Sequence, residues 1–212
     1  MLVVGPMTRK LRNAAHKLTA AEADATESVA PGPGKPLGEL VTAVGKLGDQ
    51  PELRTLSVAV IGAGLVTANR RLVRAGIRMI LAHELATLAK DIIKKRLNRT
   101  RPRSANVHSQ RKLKVGERTA KEETSFPSGH SSGASAVARA LSREFPEHAL
   151  PALAAGGLVA AAQVPRRAHY PTDVAAGVVL GLASEAVAHL VVGERVEAPT
   201  RPAARRPPRP RA

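Results

Sequence analysis

The sequence contains no cysteine and no tryptophan, and its aromatic side chains are limited to Phe126, Phe145 and Tyr170. Without thiols there is no disulfide framework, no thiolate nucleophile and no thiol-based metal site. With so few rings there is no platform on which bases could stack, so no specific nucleic-acid partner is expected. A core must be assembled from Ala, Val, Leu and Ile, side chains that suit close packing of helices. The alternating apolar pattern of half-buried strands is missing, and so is any internal repeat. The first residues lack the basic, apolar and small-residue succession of a signal peptide.

What is abundant is positive charge. Lys and Arg number 33 against 17 Asp and Glu, a net charge of +16 over 212 residues. Such a balance attracts anionic material: acidic lipid head groups, phosphorylated substrates or nucleic acid. Charge alone does not choose among them.

Five apolar stretches, residues 53–68, 75–95, 131–145, 149–164 and 172–192, follow a polar beginning. Their length and alanine content predict a helix in each. Residues 1–50 read as a polar, partly disordered segment in which LTAAEADATESV has the pattern of an amphipathic helix outside the core. Residues 51–193 read as the helical domain, and the Pro/Arg-rich stretch 194–212 as a disordered tail. The fifth stretch has the length of a membrane span, about 20 residues, although Glu185 and His189 interrupt it. The second carries Arg78, His83, Glu84, Lys90 and Asp91. A charge at mid-bilayer costs at least ~2.5 kcal/mol, so these positions must face a bundle interior if lipid surrounds the helix. The expectation is an all-α bundle of about five core helices, membrane-embedded in preference to soluble.

Three polar clusters lie between the apolar stretches. KKRLNRTRPR ends the second, with Lys94 in its last turn and Arg101 held extended by Pro102. An ammonium and a guanidinium placed so could converge on one anion, although a solvated basic loop has the same composition. FPSGH precedes the third stretch. There Pro127 and Gly129 shape a turn, Ser128 or Ser131 can cap the helix, and the Gly129 amide is open to a phosphate oxygen beside His130. The bland alternative is a plain cap with an incidental histidine. AHYPTD opens the fifth stretch, with Asp173 four residues after His169. A carboxylate there can cap the helix, and it can also fix the tautomer of an imidazole and leave its other nitrogen nucleophilic.

Taken in order, K-x6-RP, PSGH and H-x3-D resemble the type 2 phosphatidic acid phosphatase (PAP2) superfamily, related to bacterial acid phosphatases and vanadium haloperoxidases. The resemblance spans residues 53–192 and implies an all-helical bundle with the three motifs meeting at one end. It implies that His169 attacks phosphorus to form a phosphohistidine, that Asp173 orients His169, and that His130 protonates the leaving oxygen. Lys94, Arg101, Ser128 and the Gly129 amide would hold the nonbridging oxygens. The implied substrate is a lipid phosphate, of phosphatidate or polyprenyl phosphate or pyrophosphate type, met by a multi-pass protein of the cell membrane. No metal and no cofactor are expected, and the motifs carry no information on oligomeric state.

One departure stands out. Where the family's third motif usually opens with Ser-Arg, this chain has Ala162 and Gln163. Without a cation at that position the phosphate forgoes a charge-assisted hydrogen bond, worth about 1.5–3 kcal/mol, unless Arg166 or Arg167 reaches in. The alternative function is then a weak or inactive relative that binds anionic lipid without turning it over.

Overall fold

The computed structural model describes residues 9–32, 34–104, 114–115 and 124–193. The stretch 194–212, expected to be a disordered tail, lies outside them, as does most of the basic loop after Ser104. The architecture is helical throughout: α1 Arg9–Val29, α2 Pro36–Lys46, α3 Gln50–Val66, α4 Arg70–Lys94, α5 Gly129–Glu144, α6 Ala149–Ala161 and α7 Pro171–Val192. The five expected helices are α3 to α7, with ends shifted by a few residues. The largest shift is at α4, which begins at Arg70 because the Asn69 side chain accepts from the amides of Arg71 and Leu72, at 3.0 and 3.3 Å. One strand pair departs from the expectation of none: Leu97–Asn98 (β1) pairs antiparallel with Lys114–Val115 (β2). Two residues per strand are too short to leave an alternating pattern.

Helix α5 is the central post. It packs against α4, α6 and α7, while α3 closes the far side of α4. This position explains its composition, GHSSGASAVARALSRE: small side chains let its neighbours approach, and most of the helix is buried. Helix α7 comes so close that a Cβ on Gly181 would collide with the Ser132 carbonyl oxygen. The apolar centre is Leu53, Met79, Ala82, Ala86, Ala136, Val137, Ala140 and Ala188.

Charges inside the bundle are paired, as burial requires. At one end Glu144 of α5 receives Arg74 and Arg78 of α4, both at 2.8 Å, and the fully buried Glu185 of α7 meets Arg143 at 2.8 Å. The outer faces remain apolar. Leu65, Val66, Leu88, Ile92, Leu150, Leu158, Val179, Leu190 and Val191 are exposed there. By length and hydropathy α7 is the described helix able to cross a membrane.

The segment before residue 50, expected to be polar and partly disordered, carries α1 and α2 over its described part. Helix α2 leans on α6 and α1 on α7. The amphipathic stretch read as lying outside the core buries Glu22, Ala23 and Thr26.

Candidate active site

The end of α4, the start of α5 and the start of α7 lie at one end of the bundle, around a pocket of about 460 Å³. Lys90, Lys94, Arg101, Gly129, His130 and His169 line it, together with Gly48 to Glu52 from the α2–α3 turn. The pocket therefore combines three cations, a helix N-terminus and two imidazoles, whose ring centroids stand 6.3 Å apart at 60°.

Of the residues expected from sequence, Lys94, Arg101, Gly129, His130 and His169 line this pocket, and Ser128 and Asp173 stand behind it. The Lys94 ammonium donates to the Thr124 carbonyl at 2.6 Å, which holds it at the helix end. Arg101 is buried to 6% exposure. Ser128 is the residue that caps α5, accepting from the Ser131 amide at 3.3 Å and its hydroxyl at 2.8 Å. Its side chain is thus engaged in the cap, while Gly129, first in the helix, presents an amide that no helical carbonyl can take.

His169 is held in the turn before α7 and is 1% exposed. Among the described residues its Nε2 makes no hydrogen bond. Burial, and then the charges of Arg101 and Lys94, hold its pKa well below the ordinary imidazole range, against a hydrogen bond to the Ser125 backbone. It is therefore a neutral imidazole with one nitrogen free in the pocket, the state a nucleophile requires.

Behind His169 the geometry differs from a direct carboxylate–imidazole bond. Asp173 Oδ2 lies 3.9 Å from His169 Nδ1, beyond hydrogen-bond reach. The Ser125 hydroxyl stands between them, donating to Asp173 Oδ2 at 2.5 Å with its oxygen 3.5 Å from Nδ1. Asp173 also accepts from the Tyr170 amide at 2.9 Å, so it caps α7 as well. Its other oxygen receives Arg99 at 2.6 Å. Arg99 in turn reaches Glu22 of α1 at 2.7 Å and lies 4.1 Å over the Tyr170 ring. Glu22 closes the loop by accepting from the Thr172 amide at 2.9 Å.

Sequence reasoning missed Ser125, Arg99, Glu22, Lys90 and Asp49. Lys90 precedes Lys94 by one turn and so faces the same way, a signal that was available. Arg99 sits inside the K-x6-RP stretch without belonging to its fixed positions. Asp49 and Glu22 arrive from distant sequence and left no local sign.

The position of Gln163 is occupied differently from the arginine it replaces. Its amide donates to the Val159 carbonyl at 2.9 Å and the Gly45 carbonyl at 3.3 Å, tying α6 to α2. Arg166 donates to Gln163 Oε1 at 3.1 Å and lines a neighbouring cleft with Lys35 and Lys46. Arg167 pairs with Glu27 of α1 at 2.6 Å. Lys90 is the third cation of the pocket. No group of three His, Asp or Glu side chains among the described residues converges as a metal cage.

A family profile described as the PAP2 superfamily matches residues 75–197. No curated protein matches the chain. Two solved structures share its architecture. A transmembrane PAP2-type phosphatidylglycerolphosphate phosphatase from Bacillus subtilis is 26% identical, with a TM-score of 0.56 over 85% of each chain. Aquifex aeolicus LpxE is 20% identical, with a TM-score of 0.59 over 89% of this chain and 98% of that one.

Proposed function

The chain belongs to the PAP2 superfamily, and we propose from this that it hydrolyses the phosphomonoester or pyrophosphate of a lipid by way of a phosphohistidine. Nε2 of His169 attacks phosphorus, forming the N–P bond as the bond to the leaving oxygen breaks. His130 gives its proton to that oxygen. Water then attacks the phosphohistidine, returning one proton to His130 and freeing His169. Lys90, Lys94, Arg101 and the Gly129 amide surround the nonbridging oxygens, where phosphoryl transfer concentrates charge. Asp173, through Ser125, keeps the His169 ring aimed. The charge is met by side chains and amide, so the scheme runs without a metal.

The observation that carries this reading is the buried Nε2 of His169, unbonded among the described residues, facing His130 across a pocket lined by Lys90, Lys94 and Arg101. A lipid substrate is supported by the apolar outer faces of α3, α4, α6 and α7. The Bacillus relative, named for a phosphatidylglycerol phosphate, supports the same class. We read the protein as a multi-pass membrane protein in which the bundle α3 to α7 is embedded, with α7 the described helix long and apolar enough to cross the bilayer and the site at one end of the bundle.

The test is phosphate release from phosphatidate, phosphatidylglycerol phosphate and polyprenyl pyrophosphate, with and without chelator, beside His169→Ala. Release by the wild type that survives chelation and drops by at least about a thousandfold in the variant is expected. Equal rates in the two proteins would remove His169 from the chemistry.

A second reading, anionic-lipid binding without turnover, draws on Gln163 standing where an arginine is usual. It predicts vesicle binding by wild type and His169→Ala alike, with no phosphate released by either.

A further inference from the structure

Asp49 stands at the N-cap of α3, with extended backbone angles of φ −66° and ψ 149°. An Asp there ordinarily turns its carboxylate onto the first amides of the helix. This one makes no such bond. Its Oδ1 lies instead 2.5 Å from Nε2 of His130. The α2–α3 turn is pressed into that contact: a Cβ on Gly48 would stand 2.6 Å from Val159 Cγ1 and 3.2 Å from His130 Cβ. Only a residue without a side chain lets the turn come so close.

The charges around His130 give the contact its consequence. Lys90 and Lys94 approach from α4, Arg101 from the loop after it, and Arg166 and His169 from the α6–α7 connection. Burial first, and then the charges of Arg166 and Arg101, hold the His130 pKa below the ordinary imidazole value, while Asp49 opposes them. On the α3 side stand Asp49 and, farther along the pocket wall, Glu52. Of these two carboxylates, Asp49 is the one bonded to the ring.

We propose that Asp49 is the positioning residue of the proton donor: its carboxylate keeps a proton on Nε2 of His130 until a phosphate enters. The proposal rests on the phosphatase reading above. The leaving oxygen then replaces Oδ1 at Nε2 and takes the proton as the P–O bond breaks. His130, now neutral, accepts a proton from the attacking water as the N–P bond opens, and the imidazolium returns to Asp49. A carboxylate at the mouth of an anion site has a second effect, because it must be displaced by each substrate.

The experiment uses the full chain in detergent micelles and compares wild type with Asp49→Asn, which keeps the side-chain shape. Asp49 caps nothing and is half-exposed, so the variant is expected to fold. With no substrate present, the His130 ring is titrated by NMR, its signal assigned from His130→Gln. The pH profile of kcat/KM is then measured with phosphatidate. In the variant the His130 titration and the alkaline limb of the profile both move to lower pH, by about one unit. KM is unchanged or lower, because a competing anion is gone. Superimposable His130 titrations overturn the proposal. So does a rate lowered equally at every pH. If the wild type releases no phosphate from any lipid, the phosphatase reading fails, while the NMR titration still decides whether Asp49 holds the proton.

Discussion

Replacing Glu22 by Gln removes a charge from the residue farthest in sequence from the candidate site while keeping its shape. Glu22 is 6% exposed and bonds to Arg99 at 2.7 Å and to the Thr172 amide at 2.9 Å, with a further bond to the Thr172 side chain. Removing one partner of a buried ion pair costs about 3–5 kcal/mol when the other charge is left alone. Arg99 is not left alone, because Asp173 remains at 2.6 Å. Gln also preserves an acceptor for Thr172. The loss is then that of one charge-assisted bond, about 2 kcal/mol. For a chain of this size that lowers Tm by roughly 4–8 °C. Burial raises the Glu22 pKa, but the bonds from Thr172 and Arg99 outweigh it and leave it below the usual carboxylate value. A depressed folded pKa contributes stability that is present above the unfolded value and lost as pH falls through the folded one. The gap between wild type and variant is therefore full at pH 7 and closes below about pH 4. Thermal unfolding in detergent, followed by far-UV circular dichroism across that range, measures it. Equal Tm values at pH 7, or a gap undiminished in acid, would refute the reasoning.

Two further outcomes follow from the same geometry. Gly181→Ala drives a methyl group into the Ser132 carbonyl and should cost at least about 1–3 kcal/mol. Gly157→Ala, with nothing within 4 Å of its new carbon, should gain about 0.5–1 kcal/mol; opposite shifts in Tm check the pair. His169, kept neutral by burial and then by Arg101 and Lys94, should leave the acid limb of the rate profile well below pH 6.5. Because the unfolded chain protonates this group first, stability should begin to fall as pH drops below about 6.5 and go on falling until the folded group is protonated. A limb centred near pH 6.5 would count against a buried neutral nucleophile.

Much of the candidate site is legible in the chain because motif chemistry is local. Lys94 at a helix end, Gly129 and His130 at a helix start, and His169 before a proline each follow from a turn signal a few residues long. The five core helices were equally readable, since their signal is a sustained run of alanine and branched aliphatics, whereas α2 was not. The contacts behind the site were not. Nothing near Asp173 indicates that Ser125 stands between it and His169, or that Arg99 takes its second oxygen. The N-terminal segment reads as partly disordered and outside the core because its composition is polar, yet polar residues such as Glu22 and Thr26 are among those it buries.

Sequence alone determined the order of the five core helices and the family to which the chain belongs, and it singled out the two candidate imidazoles, because each depends on residues adjacent or one turn apart. Tertiary structure decided which carboxylate touches which base. Asp49 meets His130, Glu22 meets Arg99, and Asp173 stands 3.9 Å short of His169. Those choices depend on how far the α2–α3 turn and α1 descend onto the bundle end. That descent is set by the close approach at Gly48 and by the bonds of Glu22 to Arg99 and the Thr172 amide, between residues that no sequence pattern links.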